Sequence, residues 1–177
     1  QGHYFDIFAH LKGGQHFGQH TELSLSHDAI EAQVYDYALL QDQSMAAAFY
    51  ADKPDEYAHV PENFVKLADM VLAHSPECRI ILEHTWGYRK EDCKGFKTVE
   101  NFNNMLREGC TTIAALKNAE ISHIGDAFIA VDTKELGNSL HASDDHHQSY
   151  YGSYLKACVN YLMITGEPFN EKVANCG

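Results

Sequence analysis

The sequence predicts an α/β fold of three layers, with a mostly parallel sheet between helices. Two short apolar segments of strand length, residues 35–41 and 78–83, alternate with longer segments whose apolar residues recur every three or four positions. This alternation is typical of βαβ units, because a parallel connection needs a crossover that is usually a helix. The 177 residues contain no internal repeat or linker, so we expect a single domain over residues 1–177.

The first third of the chain is predicted to hold two strands with a helix between them. Residues 4–11 (YFDIFAHL) are mostly apolar and end at a glycine pair, which breaks regular structure. Residues 15–33 are polar with weak helical periodicity, which indicates a helix. Residues 35–41 (YDYALLQ) match a buried parallel strand, and a loop is expected over residues 41–56.

Two long helices are predicted next, with a strand between them. Apolar residues at helical spacing indicate a helix over residues 57–74, which Ser75 and Pro76 end. Residues 78–83 (CRIILE) form a buried strand, and residues 96–116 form an amphipathic helix. The apolar side of that second helix is expected in the core: Phe96, Val99, Phe102 and Leu106.

The last third is predicted to contain a short strand within residues 119–128, a short helix over residues 127–134 and a final helix over residues 148–165. Gly166 lies just past this final helix and Pro168 follows, which is the usual stop signal. Ligands of parallel sheets bind where the strands end, so the loops that leave the strands are the predicted site region.

Charge disfavours nucleic acid and anionic membrane surfaces as partners. The chain has 13 Lys and Arg against 25 Asp and Glu, a net charge of −12 that repels phosphate groups. No apolar run reaches the roughly 18–20 residues that a membrane span needs. None of the five cysteines forms a CxxC pair, and Cys110 and Cys158 fall in apolar helical patterns where a small buried thiol is expected.

The start of the chain resembles the interior of a longer protein. The sequence opens on strand-like residues, without an initiator Met or a leader. We therefore expect that a first strand is missing from these 177 residues.

The densest group of chemically active residues is DDHHQS, which begins at Asp144. A carboxylate three residues before His147 can accept a hydrogen bond from the imidazole Nδ1–H, which fixes the tautomer and stabilises the imidazolium. Spacing alone leaves two alternatives open. The acids or Ser149 could cap the following helix, and the loop could hold a metal through His141, His146 and the pair itself, although adjacent histidines usually point apart.

Aromatic and histidine side chains also occupy the predicted strand-exit loops. Trp86 and Tyr88 could stack on a sugar ring if exposed, or could be packed loop aromatics. His10, His16 and His20 could line a pocket or bind metal, or could be solvent-exposed loop residues.

Three stretches carry a family resemblance. DDHHQS followed by GSYLKAC, the stretch DYALLQDQS at residues 36–44, and the glycine pair Gly13-Gly14 occur in the order and spacing of SGNH (GDSL-type) hydrolases. They resemble most a bacterial branch of undefined substrate, in which D-x-x-H-P-S precedes G-S/T-Y-L-A-A and a strand reads D-Y-V-V-L-Q-x-Q-S. Gln148 stands here where that branch usually has Pro.

The resemblance implies a flavodoxin-like SGNH fold and a serine esterase that acts on an O-acyl ester, with acetyl as one candidate, on a carbohydrate. His147 would be the general base, oriented by Asp144, and the oxyanion would be bound by the Gly14 N–H and the Gln43 amide. Without the resemblance, the glycine pair is a turn and the glutamines anchor a loop. Substrate-binding residues would be Gln41, Trp86 and Tyr88. The mechanism needs no metal or organic cofactor, and relatives suggest a periplasmic or secreted location.

One element of the family pattern is missing. The nucleophilic Ser follows the first strand in a G-D/N-S block, and the similar triplets at residues 137–139 and 125–127 lack either the strand or the Ser. Ser44 occupies the position of the acid in the family's G-x-N-D block. We therefore expect the nucleophile outside these residues. The alternatives are an inactive SGNH-like carbohydrate-binding domain and a metal-dependent hydrolase that uses the histidine loop.

Overall fold

A three-stranded parallel sheet forms the centre of the molecule. The computed structural model describes residues 3–89, 93–131 and 139–167. The strands are β1 (Tyr37–Leu40), β2 (Arg79–Glu83) and β3 (Glu120–Ser122), in the order β1-β2-β3. Leu40 pairs with Leu82 and Glu83 pairs with Ser122, so the carboxyl ends of the strands meet at one edge of the sheet. The predicted α/β class and parallel pairing are confirmed.

Seven helices surround the sheet in the described part of the chain. They are α1 (Phe17–His20), α2 (Ser24–Glu31), α3 (Ala46–Asp52), α4 (His59–His74), α5 (Val99–Ala115), α6 (Ile124–Ala130) and α7 (Tyr150–Thr165).

The two faces of β2 define the layers. Ile80 and Leu82 belong to a buried cluster with side chains of α3, α4 and α5. Successive strand residues point to opposite faces, and Glu83 on the other face bonds to Lys156 and Asn160 of α7. The three layers are thus α3–α5, the sheet, and α7. Phe102 and Leu106 of α5 are buried, as the helical pattern predicted. Phe96 is also buried, but it precedes the helix, which begins at Val99.

The first predicted strand is wrong. Residues 3–12 have no regular structure, and Tyr4 and Leu11 are largely exposed. Apolar composition suits a strand, but a strand also needs a hydrogen-bonded neighbour, and the described sheet offers none to this segment. It instead contacts the fold through aromatic rings, with Phe5 near Tyr161 of α7.

Two helix predictions and one loop prediction also need correction. The helix expected over residues 15–33 is divided into α1 and α2. The loop expected over residues 41–56 contains α3, whose Ala46–Ala48 run is buried. A strong helix former repeated three times was the available signal. The short helix after β3 begins at Ile124, earlier than predicted, and residues 132–134 lie outside the described part.

The final helix follows the prediction. Ser149 caps α7 by accepting a hydrogen bond from the Gly152 N–H at 3.2 Å, and Gly166 ends it in the left-handed conformation, with φ of 69°. No helix among the described residues has the length and apolar character needed to cross a membrane.

Cys78, Cys110 and Cys158 are free thiols. Cys110 is buried in α5, where desolvation raises its pKa to about 12, and Cys158 is half-buried on α7. Cys78 and Cys93 are also buried. Cys176 lies outside the described residues.

Candidate functional site

The loops that leave the strands meet at the carboxyl edge of the sheet. Thr85, after β2, donates through Oγ1 to the Ser44 carbonyl of the loop after β1, at 3.1 Å. Trp86 Nε1 donates to the His146 carbonyl at 3.0 Å, which joins the β2 loop to the loop before α7. Phe17, at the start of α1, donates its N–H to Asp42 Oδ1 at 3.0 Å. The edge that the sequence indicated is therefore the place where its polar loops converge.

Asp144 and His147 form a hydrogen-bonded pair. Asp144 Oδ2 lies 2.5 Å from His147 Nδ1. The other carboxylate oxygen, Oδ1, accepts the backbone N–H groups of His147 at 2.9 Å and His146 at 3.0 Å. The carboxylate is held by three bonds, so its position and that of the imidazole are fixed before any ligand arrives.

The chain folds into a tight turn to bring this pair together. Asp145 adopts a φ of 56°, and its N–H donates to the Ala142 carbonyl at 3.0 Å. Ala142 N–H donates to the His147 carbonyl at 2.7 Å, which closes the loop. Asp and Asn accept left-handed backbone more readily than most residues. Because Ser149 supplies the helix cap, the acids of the loop do not perform that role.

Hydrogen bonds keep the Asp144 carboxylate ionised beside the His147 imidazole. The side-chain bond from His147, followed by the two backbone bonds, holds the pKa of Asp144 well below its usual range. With Nδ1–H directed at this carboxylate, Nε2 of His147 carries the free lone pair. The His147 side chain is 66% exposed, so Nε2 is open to a substrate or a nucleophile.

Tyr88 connects this pair to the loop after β1. Its hydroxyl hydrogen-bonds to Ser44 Oγ, and its ring centroid lies 4.0 Å from that of His146. The His146 and His147 rings are stacked at 4.2 Å. The expectation that adjacent histidines point apart is thus wrong here, because the turn places both rings on one side. Burial raises the pKa of Tyr88, so its hydroxyl stays protonated at neutral pH.

Trp86 and Tyr88 are buried rather than exposed. Trp86 is 6% exposed and stacks on Phe128 with ring centroids 4.7 Å apart, and Tyr88 is 1% exposed. The premise that the two rings form an open platform for a sugar is wrong, since their faces are covered by other rings. Both side chains instead bind the loop that carries Asp144 and His147.

The predicted glutamines and glycine have different environments. Gln43 Oε1 accepts the Met45 N–H at 2.9 Å, so the acceptor anchors the loop and the Nε2 donors remain as the other polar group of the amide. Gln41 Oε1 accepts Lys156 Nζ at 2.9 Å. Gly14 is exposed in a turn, with φ of 72°. Among the described residues, no hydrogen bond joins this turn to His147.

The histidine loop does not gather all four proposed metal ligands. His141 is buried, and its Nε2 hydrogen-bonds to the Gly87 carbonyl at 2.9 Å, away from the group of Asp144, His146 and His147. The ligand atoms of a tetrahedral zinc site stand roughly 3.3 Å apart, given bonds of about 2.0–2.2 Å. At 2.5 Å, the two atoms of the Asp144–His147 pair are too close for an ion between them.

Two carboxylates at this edge, one half-buried and one buried, were not among the predicted site residues. The Asp42 side chain is 10% exposed, and its Oδ1 accepts N–H groups from Phe17 and Gln43 and lies 3.4 Å from His16 Nδ1. The bond to Asp42 raises the pKa of His16. A polar residue directly after a buried strand was the signal for Asp42.

His20 contacts His10 ring to ring and lies 3.2 Å from Ser26 Oγ.

Glu83 is the buried carboxylate of the two. Its side chain is 6% exposed and bonds to Lys156 Nζ at 2.6 Å and Asn160 Nδ2 at 2.9 Å. Ser122 Oγ donates to Asn160 Oδ1 at 2.5 Å. This network fixes α7 on the sheet, and α7 follows directly from the Asp144–His147 loop.

The two triplets that resemble the nucleophile block make other contacts in the part of the chain that the structure describes. Asp126 of the triplet at residues 125–127 is bound by Arg107 and Asn103. Ser139 Oγ accepts the His141 N–H at 3.2 Å, while residues 137 and 138 lie outside the described part.

Comparison with known proteins supports the fold. No protein-family model and no curated protein matches the chain. A solved structure described as "a putative SGNH hydrolase from Slackia heliotrinireducens" is similar with a TM-score of 0.68. The two are 22% identical, and the match covers 86% of this chain and 80% of that one. At this identity the likeness concerns architecture, so the chain has the three-layer α/β fold of this SGNH-type protein, the fold that its motifs predicted.

Proposed function

We propose that this protein is a serine ester hydrolase of the SGNH type, in which His147 is the general base and Asp144 orients it. The observation that carries the proposal is the bond between Asp144 Oδ2 and His147 Nδ1, in an exposed loop at the carboxyl edge of an SGNH-type fold. A carboxylate on Nδ1 leaves Nε2 as the proton acceptor and stabilises the imidazolium that forms.

The reaction follows from these roles. A Ser hydroxyl attacks the ester carbonyl while His147 Nε2 takes its proton, and the resulting imidazolium returns that proton to the leaving alcohol. Water, deprotonated by His147, then hydrolyses the acyl-enzyme. We propose the Gln43 Nε2 and the Gly14 N–H as donors to the tetrahedral oxyanion, where each well-placed donor contributes about 10²–10³ in kcat.

We place the nucleophilic Ser in a G-D/N-S block after a strand, which the sequence motifs lead us to expect outside these residues. Activity is therefore tested on the whole gene product. Ser44 is a weak alternative, because its Oγ is bound to Tyr88.

The substrate proposal stays at an O-acyl ester. The preference for a carbohydrate rested partly on Trp86 and Tyr88, and their burial removes that support. Export to the periplasm or medium belongs to the proposal through family resemblance alone, and cell fractionation would test it.

The experiment is hydrolysis of p-nitrophenyl acyl esters by the gene product, together with labelling by a fluorophosphonate probe. His147→Ala should lose both activities, while Asp144→Asn should lower kcat by about 10⁴-fold. An Asn amide would donate to Nδ1 and force the proton onto Nε2. The matched control is His59→Ala, which removes an exposed histidine on α4 and should leave the rate unchanged. Full activity of His147→Ala would refute the assignment of the base.

The same experiment separates the second candidate function, an inactive SGNH-like binding domain. The observation that favours it is the missing nucleophile block. A folded gene product with neither turnover nor labelling would support the binding domain.

A further inference from the structure

A second group of titratable side chains lies at the same edge of the sheet, apart from the proposed catalytic pair. His84 follows β2, His123 follows β3, and Asp126 lies in the first turn of α6. One ligand atom from each of the three residues lies within 4.8 Å of the other two. The esterase mechanism uses none of them.

His84 is the observation that needs an explanation. Its side chain is 0% exposed, and both ring nitrogens lack a hydrogen-bond partner. A buried polar atom without a partner is destabilising, and such groups are rare in native proteins. Its Nδ1 faces Asp126 Oδ2 at 4.0 Å, too far for a hydrogen bond.

One of the two spacings around Asp126 Oδ2 is that of a zinc site, and the other is wider. His123 Nδ1 lies 3.3 Å from this oxygen, and His84 Nδ1 lies 4.0 Å from it. Ligand atoms around a tetrahedral zinc ion stand roughly 3.3 Å apart. The Asp144–His147 pair is closed at 2.5 Å, whereas this group leaves room for an ion between its atoms.

We propose that His84, His123 and Asp126 bind a divalent transition-metal cation of the zinc class, with the remaining coordination position open to water. Two imidazoles and one carboxylate form a donor set that suits zinc, and three protein ligands are typical of sites that keep an open position. His123 is 50% exposed and gives the ion a route from solvent.

The surroundings hold the Asp126 carboxylate in place. Asp126 Oδ1 accepts hydrogen bonds from Asn103 Nδ2 at 2.8 Å and from Arg107 Nε at 2.9 Å. Arg107 contacts both oxygens and opposes a cation, but its side chain is 43% exposed, so water screens its charge.

The surroundings of the His84 Nε2 atom also suit a histidine that binds metal through Nδ1. A metal on Nδ1 requires the ring proton on Nε2, and ligating histidines usually donate that proton to a nearby acceptor. Asn103 Oδ1 is buried and without a partner. The position of a Cβ on Gly125 would be 2.7 Å from His84 Nε2 and 2.2 Å from Asn103 Oδ1, so both atoms face the same point. Asn103 is therefore the candidate acceptor.

The test is titration of the chelator-treated protein with Co²⁺, followed by displacement with Zn²⁺. We expect one Co²⁺ per chain with the visible absorption bands of a site of mixed nitrogen and oxygen ligands. His123→Ala removes a half-exposed ligand without opening the core and should weaken binding more than about 100-fold, since even outer partners of metal ligands are worth 10–100-fold. Asp126→Asn should weaken binding as well.

The matched control is His147→Ala, which removes a histidine from the other cluster and should leave Co²⁺ affinity unchanged. Three results would overturn the proposal: no Co²⁺ binding, affinity that persists in His123→Ala, or affinity lost in His147→Ala. Because only metal binding is measured, the outcome does not depend on whether the protein is an esterase.

Discussion

Replacing Lys156 with Met should destabilise the fold, because it leaves Glu83 as a buried carboxylate without its cation. The Glu83 and Lys156 side chains are 6% and 23% exposed, and their charged atoms lie 2.6 Å apart. Removing one partner of a buried ion pair costs about 3–5 kcal/mol. Asn160 would keep one bond to the carboxylate, so we expect the lower end of the range, about 3 kcal/mol.

The assay is urea unfolding together with thermal unfolding. For a chain of this size, a loss of about 3 kcal/mol lowers Tm by about 6–12 °C. The double variant Glu83→Gln with Lys156→Met removes both charges, and we expect most of the stability to return, since neutral replacements of buried pairs are often tolerated. Lys66→Met is the control, an exposed lysine on α4 whose loss should change the free energy of unfolding by less than about 0.5 kcal/mol. If Lys156→Met resembled this control, Glu83 would not depend on its cation and the network would not hold α7.

Three further predictions concern packing, pH and the oxyanion. Gly109→Ala would place a Cβ 2.0 Å from the Ala47 carbonyl oxygen. Overpacking costs about 3 kcal/mol and the better helix propensity of Ala returns about 1 kcal/mol, so we expect the free energy of unfolding to fall by about 2 kcal/mol. Urea unfolding at or above wild-type stability would contradict the close α3–α5 contact. The bond to Asp42 raises the pKa of His16 above 6.5. The stabilisation from this pair is therefore complete below pH 6.5 and is lost as the pH rises through the pKa of His16 in the folded state. His16→Asn should cost more stability at pH 5.5 than at pH 8.5, and an equal cost at both would refute the pairing. Gln43→Glu keeps the Oε1 that anchors the loop but removes the amide donors, so kcat of the gene product should fall about 10²–10³-fold, and an unchanged kcat would exclude the oxyanion role.

The pattern of apolar residues was sufficient to predict the helices and strands whose own residues require burial. The segment CRIILE became β2, and the periodic residues of α4 and α5 became core, because continuous or periodic apolar residues leave few alternatives to burial. Residues 4–11 have similar composition but no strand, since strand formation depends on a neighbour that a local pattern does not reveal.

The candidate site shows the same difference between local and long-range contacts. Asp144 and His147 are three residues apart, so local spacing could predict their bond. The burial of Trp86 and Tyr88 depends on Phe128 and Phe102, which come from distant helices. The group around Asp126 joins residues from two strand ends and one helix, and only the pairing of β2 with β3 brings them together.

The central claim is that Asp144 fixes His147 with its proton on Nδ1 and its lone pair on Nε2. Long-range ¹H–¹⁵N NMR of ¹⁵N-histidine-labelled protein reads this tautomer directly, and it requires no catalytic turnover. We expect neutral His147 to carry its proton on Nδ1, and Asp144→Asn to abolish this preference. A proton on Nε2, or a rapid average of the two tautomers in the wild-type protein, would contradict the assignment of His147 as an oriented general base.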